Sequence, residues 1–167
     1  MLMVYKVLLS CVLLLWLQGC DDLLRNSELK KMKKEELTEY YTKNKKALLH
    51  IVDICQSYPQ IKRVEKDVII YYGDDNVSKD INLAAKDIRE NIKKLKIDNV
   101  NCIRDGMHDN VLDSISFGLY SSGIAVSGEA QFIKYETKEL RKYKKVDIPW
   151  QTVFPLPDEG WLIVFTK

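Results

Sequence analysis

The chain has 167 residues, 46 % of them apolar and 30 % charged, with a formal net charge of +2. Such proportions suit one folded domain and exclude a chain too polar to bury a core. The small net charge leaves no electrostatic footprint for nucleic acid, which is therefore not expected as a partner.

The N-terminus reads Met1-Leu2-Met3-Val4-Tyr5-Lys6, followed by an apolar run from Val7 to Leu17 broken only by Ser10. One basic residue, a short apolar stretch and then small residues make a secretory signal. About 11 helical residues rise only roughly 16 Å, well short of the ~30 Å hydrocarbon layer that a transmembrane helix must cross. No second apolar run is long enough to span a bilayer.

The run closes on Leu17-Gln18-Gly19-Cys20. This string resembles the lipobox of bacterial lipoproteins: an aliphatic residue, a tolerant position, a small residue and a cysteine. The resemblance covers about the first 21 residues. It implies diacylglycerol on the Cys20 thiol, cleavage before Cys20 and an N-acyl group on the new terminus. Two or three acyl chains hold a protein stably, because each buried CH₂ contributes about 0.8 kcal/mol. Asp21 resembles the residue that retains enterobacterial lipoproteins at the inner membrane, and Asp22 fits the same pattern. The implied address is the periplasmic face of that membrane. The expected organisation is a signal over residues 1–19, a lipidated tether over 20–33 and a single α+β domain over 34–167. Lys30, Lys31, Lys33 and Lys34 in and beside the tether form a charged helix start, with attraction to anionic lipid as the alternative.

From Glu35 onward Leu37, Tyr41, Leu48, Ile51, Cys55 and Tyr58 recur at helical spacing, and Pro59 closes the element. The segment Asp67 to Tyr72 reads as a strand ending in the turn composition Gly73-Asp74-Asp75-Asn76. A second helix follows. Its apolar face is Ile81, Ala84, Ala85, Ile88, Ile92 and Leu95, and Ser78 is its expected N-cap. Val100 to Arg104 is a short strand. Leu112 to Tyr120 alternates, with Ile115, Phe117 and Leu119 on one side and Ser114, Ser116 and Gly118 on the other. Ser121-Ser122-Gly123 turns the chain into a further strand, Ile124 to Tyr135, with a bulge expected at Gly128 where the apolar phase changes. Lys138 to Lys145 reads as a loop or short helix. Trp161 to Phe165 is apolar on both faces and reads as a buried strand. Helices followed by several strands predict an α+β fold, two helices packed on one face of a largely antiparallel sheet of four to five strands.

Cys55 and Cys102 remain once Cys11 has left with the signal and Cys20 carries lipid. In an oxidising compartment this pair is expected to form a disulfide closing a 48-residue loop, worth about 4 kcal/mol by chain entropy. Two buried free thiols are the alternative. No cysteine or histidine spacing points to a metal, and no cofactor is expected beyond the covalent lipid on Cys20. Asp74-Asp75-Asn76 lacks the later ligands of a calcium loop, and Gly123-Ile124-Ala125-Val126-Ser127-Gly128 has the wrong spacing for a nucleophile elbow. His50 is expected at the surface or its boundary, near Asp53. His108, flanked by Asp105 and Asp109, is the one arrangement that offers a general base.

Tyrosine and tryptophan are the remaining signal. Exposed aromatics anchor interfaces, and Tyr72, Tyr120 and Trp150 are the candidate binding residues. The preferred reading is a lipid-anchored periplasmic binding protein without catalytic activity, of an immunity or inhibitor type or an envelope assembly factor. Its partners are the membrane, through the anchor, and another protein. Two other readings share the anchor: a small envelope hydrolase using His108 with Asp105 or Asp109, and a structural lipoprotein contacting peptidoglycan.

Overall fold

The computed structural model describes residues 29–73, 77–104, 111–122, 128–137 and 149–166. The long helix α1 (Lys34–Ser57) buries Leu37, Tyr41, Leu48, Ile51, Val52, Ile54 and Cys55, the stripe its periodicity predicts. Its start is closed by the Glu36 carboxylate, which accepts the Lys33 backbone N–H at 2.6 Å. Strands β1 (Ile61–Glu65) and β2 (Ile69–Tyr71) form a hairpin. Helix α2 (Lys79–Leu95) follows, with Ser78 Oγ accepting the Ile81 N–H as the expected N-cap. It ends at Lys96, whose left-handed φ of 58° reverses the chain toward the sheet.

The remaining strands are β3 (Asn99–Arg104), β4 (Leu112–Ser122), β5 (Glu129–Glu136), β6 (Gln151–Pro155) and β7 (Trp161–Thr166). All seven join one sheet in the order β2-β1-β3-β4-β5-β7-β6, with every neighbouring pair antiparallel. The α+β class therefore holds, but the sheet has seven strands where four to five were expected. β1 and β6 account for the difference. The first, Ile-Lys-Arg-Val-Glu, is more than half charged, and the second ends on a proline, so neither carries a strand signature of its own. Both lie beside or at an edge of the sheet, where charge and proline are tolerated.

The bulge also moves. The register between β4 and β5 shifts between Gly118 and Tyr120, on the partner strand, while Gly128 lies just outside β5. An extra residue on β4 re-phases the pairing as well as one on β5 does, and composition alone does not choose between the strands.

One cluster of buried side chains joins both helices to the sheet. Helix α2 lies over β1 and β3, and α1 over β4, β5 and β7. At its centre Trp161, 3 % exposed, meets the rings of Tyr41, Tyr135 and Phe117 at centroid distances of 5.1, 5.2 and 5.8 Å. Aromatic contacts of this kind contribute about 0.5–1.5 kcal/mol each beyond area burial.

Three linkages fix α1 to the sheet. Cys55 is disulfide-bonded to Cys102 on β3, as the sequence leads one to expect, with the two Cα atoms 5.9 Å apart. Two residues on, and on the same side of β3, Arg104 donates from Nε to Pro59 O at 2.9 Å and from Nη2 to Cys55 O. Helix α1 has no basic residue in its last turn, so the guanidinium supplies both the missing donors and the charge that suits a helix C-terminus. Burial pulls the Arg104 pKa down, while Tyr72 and Asp113 act to raise it. Third, Asp158, just before β7, accepts Tyr41 Oη at 2.8 Å and Lys45 Nζ at 2.6 Å, both from α1. The Lys45 and Tyr41 hydrogen bonds hold the Asp158 carboxyl below its ordinary pKa. Burial and the same carboxylate push the Tyr41 phenol well above its own.

Candidate functional site: the uncovered face of the sheet

In a strand successive side chains point to opposite faces, so one contact assigns the rest. Cys102, bonded to α1, marks the helix side of β3, which places Asn101 and Ile103 on the other. Ile115 lies opposite Cys102 and Phe117 opposite Val100, so Ser114, Ser116 and Gly118 share the face of Asn101. The ring contacts of Tyr135 and Trp161 likewise send Phe132, Lys134 and Glu136 on β5, and Val164 on β7, to that side. Gln151 and Val153 on β6 follow from their pairing with Thr166 and Val164. Among the described residues no helix lies on this face, which is open around Ile103 and Val153 and closed at Ser114 and Glu136.

Its centre is low because β4 contributes only Ser114, Ser116 and Gly118 there. A depression of about 390 Å³ opens beside this strip, lined by Asn101, Ile103, Ser116, Phe132, Lys134, Gln151, Val153 and Val164. The lining mixes aliphatic and aromatic surface with amide, hydroxyl and ammonium groups, the usual make-up of a recognition surface. Ile103 and Val153 are more than 40 % exposed. Val164 is buried, yet it stands outside the main core cluster. Lys134 Nζ lies 3.1 Å from Glu136 Oε1, a carboxylate only 3 % exposed, so this charge enters the sheet surface already compensated.

Beside the depression Asn101 Nδ2 donates to Asn99 Oδ1 at 2.8 Å. The Asn99 amide lies flat over Gly118, where an added Cβ would stand 2.8 Å from Asn99 Nδ2. Glycine at 118 thus lets a pair of amides lie across β4. A second depression of about 380 Å³ lies by the β1–β2 turn, among Arg63, Glu65, Lys66, Asp67, Val68, Asp98, Asn99 and Ser121. Acids and bases alternate in it, and Arg63 already pairs with Glu65 at 2.6 Å. It selects neither anions nor cations.

The three aromatics singled out from the sequence do not come together. Tyr72 follows β2 at one sheet edge, and its hydroxyl donates to Cys102 O at 2.9 Å while Lys62 Nζ stands 5.4 Å from its ring centroid. Tyr120 sits half-buried at the β4 bulge. Trp150 precedes β6 at the opposite edge and is the most exposed large apolar residue described, at 62 %. Six strand spacings separate the edges, about 29 Å. Several tyrosines instead serve as internal struts: Tyr40 Oη donates to Leu95 O and Tyr71 Oη to Asn82 Oδ1, each at 2.8 Å. Burial raises the pKa of both phenols.

His50 is at the surface as expected, but its partner is Asp87 of α2, with Nε2 2.8 Å from Oδ2, and both groups are about half exposed. Among the described residues no group of three His, Cys, Asp or Glu side chains is placed to hold a metal ion. Asp74, Asp75 and Asn76, the segment with Asp105, His108 and Asp109, and residues 1–28 with Cys20 lie outside the described residues, as do 138–148. No protein-family model matches the chain, and neither a curated protein nor a solved structure matches it.

The residues of the uncovered face were not singled out by sequence reasoning. The alternation in β4 announced a small, polar side. Its neighbours Asn101, Phe132, Lys134 and Val153 join it only through the register of four other strands.

Proposed function

We propose that this chain is a lipid-anchored envelope protein that binds another protein through the uncovered face of its sheet and performs no catalysis. The observation that carries this reading is the depression itself: exposed Ile103 and Val153 with Phe132 beside polar Asn101, Ser116 and Gln151, set in a sheet whose other face is filled by core. A sheet face that presents this much apolar surface gains by being covered. The lipobox resemblance at Cys20 supplies the anchor, and the Cys55–Cys102 disulfide suits an oxidising compartment. Asp21 favours the periplasmic face of the inner membrane. An immunity or inhibitor protein, or an assembly factor, matches a small non-catalytic module held where its partner arrives.

The test is site-specific photo-crosslinking in the native membrane. A photoreactive residue at position 103 or 153 is expected to capture one dominant protein, and the same residue at Lys43 on the outer side of α1 is not. Phe132→Asp is expected to abolish the capture while the protein stays folded. Equal capture from both faces, or none from the sheet, removes the reading.

A further inference from the structure

The chain enters the fold at a defined place. Met32 is held by the Gln131 side chain in both directions, its N–H donating to Oε1 at 2.9 Å and its carbonyl accepting from Nε2 at 2.7 Å. Lys31 pairs with Glu129, and Leu29 packs against the core. The part of the expected tether from Leu29 onward is therefore bound to the first residues of β5.

That end of the sheet is the end at which Trp150 projects. Ser121, Ala130, Thr166 and Gln151 form one row across β4, β5, β7 and β6, and Trp150 stands immediately beyond Gln151. From β5 to β6 is two strand spacings, about 10 Å. Nine residue steps separate Cys20 from Leu29, a reach of roughly 30 Å at full extension. A bilayer holding acyl chains on Cys20 thus lies within reach of this end of the domain.

We infer that Trp150 is a membrane-contact residue, seated in the phospholipid headgroup region and orienting the domain with the Ala130–Thr166–Gln151 end toward the bilayer. The inference rests on the lipid-anchor reading of Cys20. Tryptophan favours the membrane–water interface because its ring is apolar and its indole N–H is not. One such contact is too weak to recruit a protein from solution. A short tether changes this, because the second contact forms at an effective concentration on the order of mM.

Among the described residues at this end the nearest lysines are engaged. Lys31 is paired with Glu129, and Lys34 Nζ lies 4.5 Å from the Phe154 ring centroid. Seated this way, the sheet stands on its end and its uncovered face looks sideways along the membrane, open to a membrane-bound or incoming partner.

The test uses the acylated full-length product in phosphatidylcholine vesicles, with or without bromine on the acyl chains near the headgroup. The chain has three tryptophans. Trp16 leaves with the signal and Trp161 is buried among rings, so Trp150 is the emitter that can respond. The expected result is a blue shift on reconstitution and a loss of emission in brominated vesicles, both lost in Trp150→Phe. Mass spectrometry of the N-terminal peptide is read on the same sample. An acylated Cys20 with unquenched emission overturns the membrane contact and leaves the anchor standing. A Cys20 without lipid overturns both.

Discussion

The two faces of the sheet are built from the same strands by opposite rules. On the helix side Phe117, Ile115, Ile133, Trp161 and Ile163 interlock with α1 and α2, and nearly every one is fully buried. On the other side these strands and their neighbours present Ser116, Asn101, Lys134 and Gln151, with exposed Ile103 and Val153 among them. A one-residue step along β4 takes a side chain from one environment to the other. The comparison teaches that the helix face carries most of the burial that holds the fold, while the other face, the one proposed to meet a partner, carries little of it.

Substitutions sharpen that contrast. Trp161→Ala removes the centre of the aromatic cluster and is expected to cost about 3–5 kcal/mol, read as a lowered midpoint in urea unfolding. Replacing both Cys55 and Cys102 by alanine, which frees α1 from β3 in the unfolded chain as well, is expected to cost about 2–4 kcal/mol. The Asp158 clamp gives a pH signature. Its folded pKa lies below the unfolded value, so its contribution is fully present above the ordinary carboxylate range and is lost as pH falls through the folded pKa. Asp158→Asn is therefore expected to flatten the acid limb of the stability profile, lying furthest below wild type above that range and converging on it as pH falls. Smallest of all, Phe132→Asp is expected to cost about 1–2 kcal/mol, since the ring is half-buried beside Val164 and aspartate is disfavoured in strands, while it abolishes partner capture. A cost as large as that of Trp161→Ala would break the comparison, since it would make the second face part of the core.

Legibility followed periodicity. Both helices could be read because each buries a stripe at 3.6-residue spacing and closes on recognisable ends: Ser78 for α2 and Pro59 just past α1. β4 and β7 could be read because one alternates and the other is apolar throughout. β1 and β6 could not. Their residues suit an edge or near-edge position whose neighbours come from distant parts of the chain. The disulfide was legible as the pair left once Cys11 and Cys20 are assigned to the expected signal and anchor. The Arg104 cap on α1 was not, because an arginine at the end of a short strand carries no local sign that a helix ends beside it.

Local sequence by itself determined the two helices, the α+β class, the side of β4 that enters the core and the cysteine pair, since each depends on side-chain spacing or chemistry within a short window. Tertiary structure alone decided the seven-strand order, the bulge on β4 and the placing of Trp150 beside the chain entry at Met32. It also decided the gathering of Asn101, Ser116, Phe132, Lys134 and Val153 into one surface. These depend on which strands become neighbours, and that is settled by how the whole chain buries its apolar faces at once.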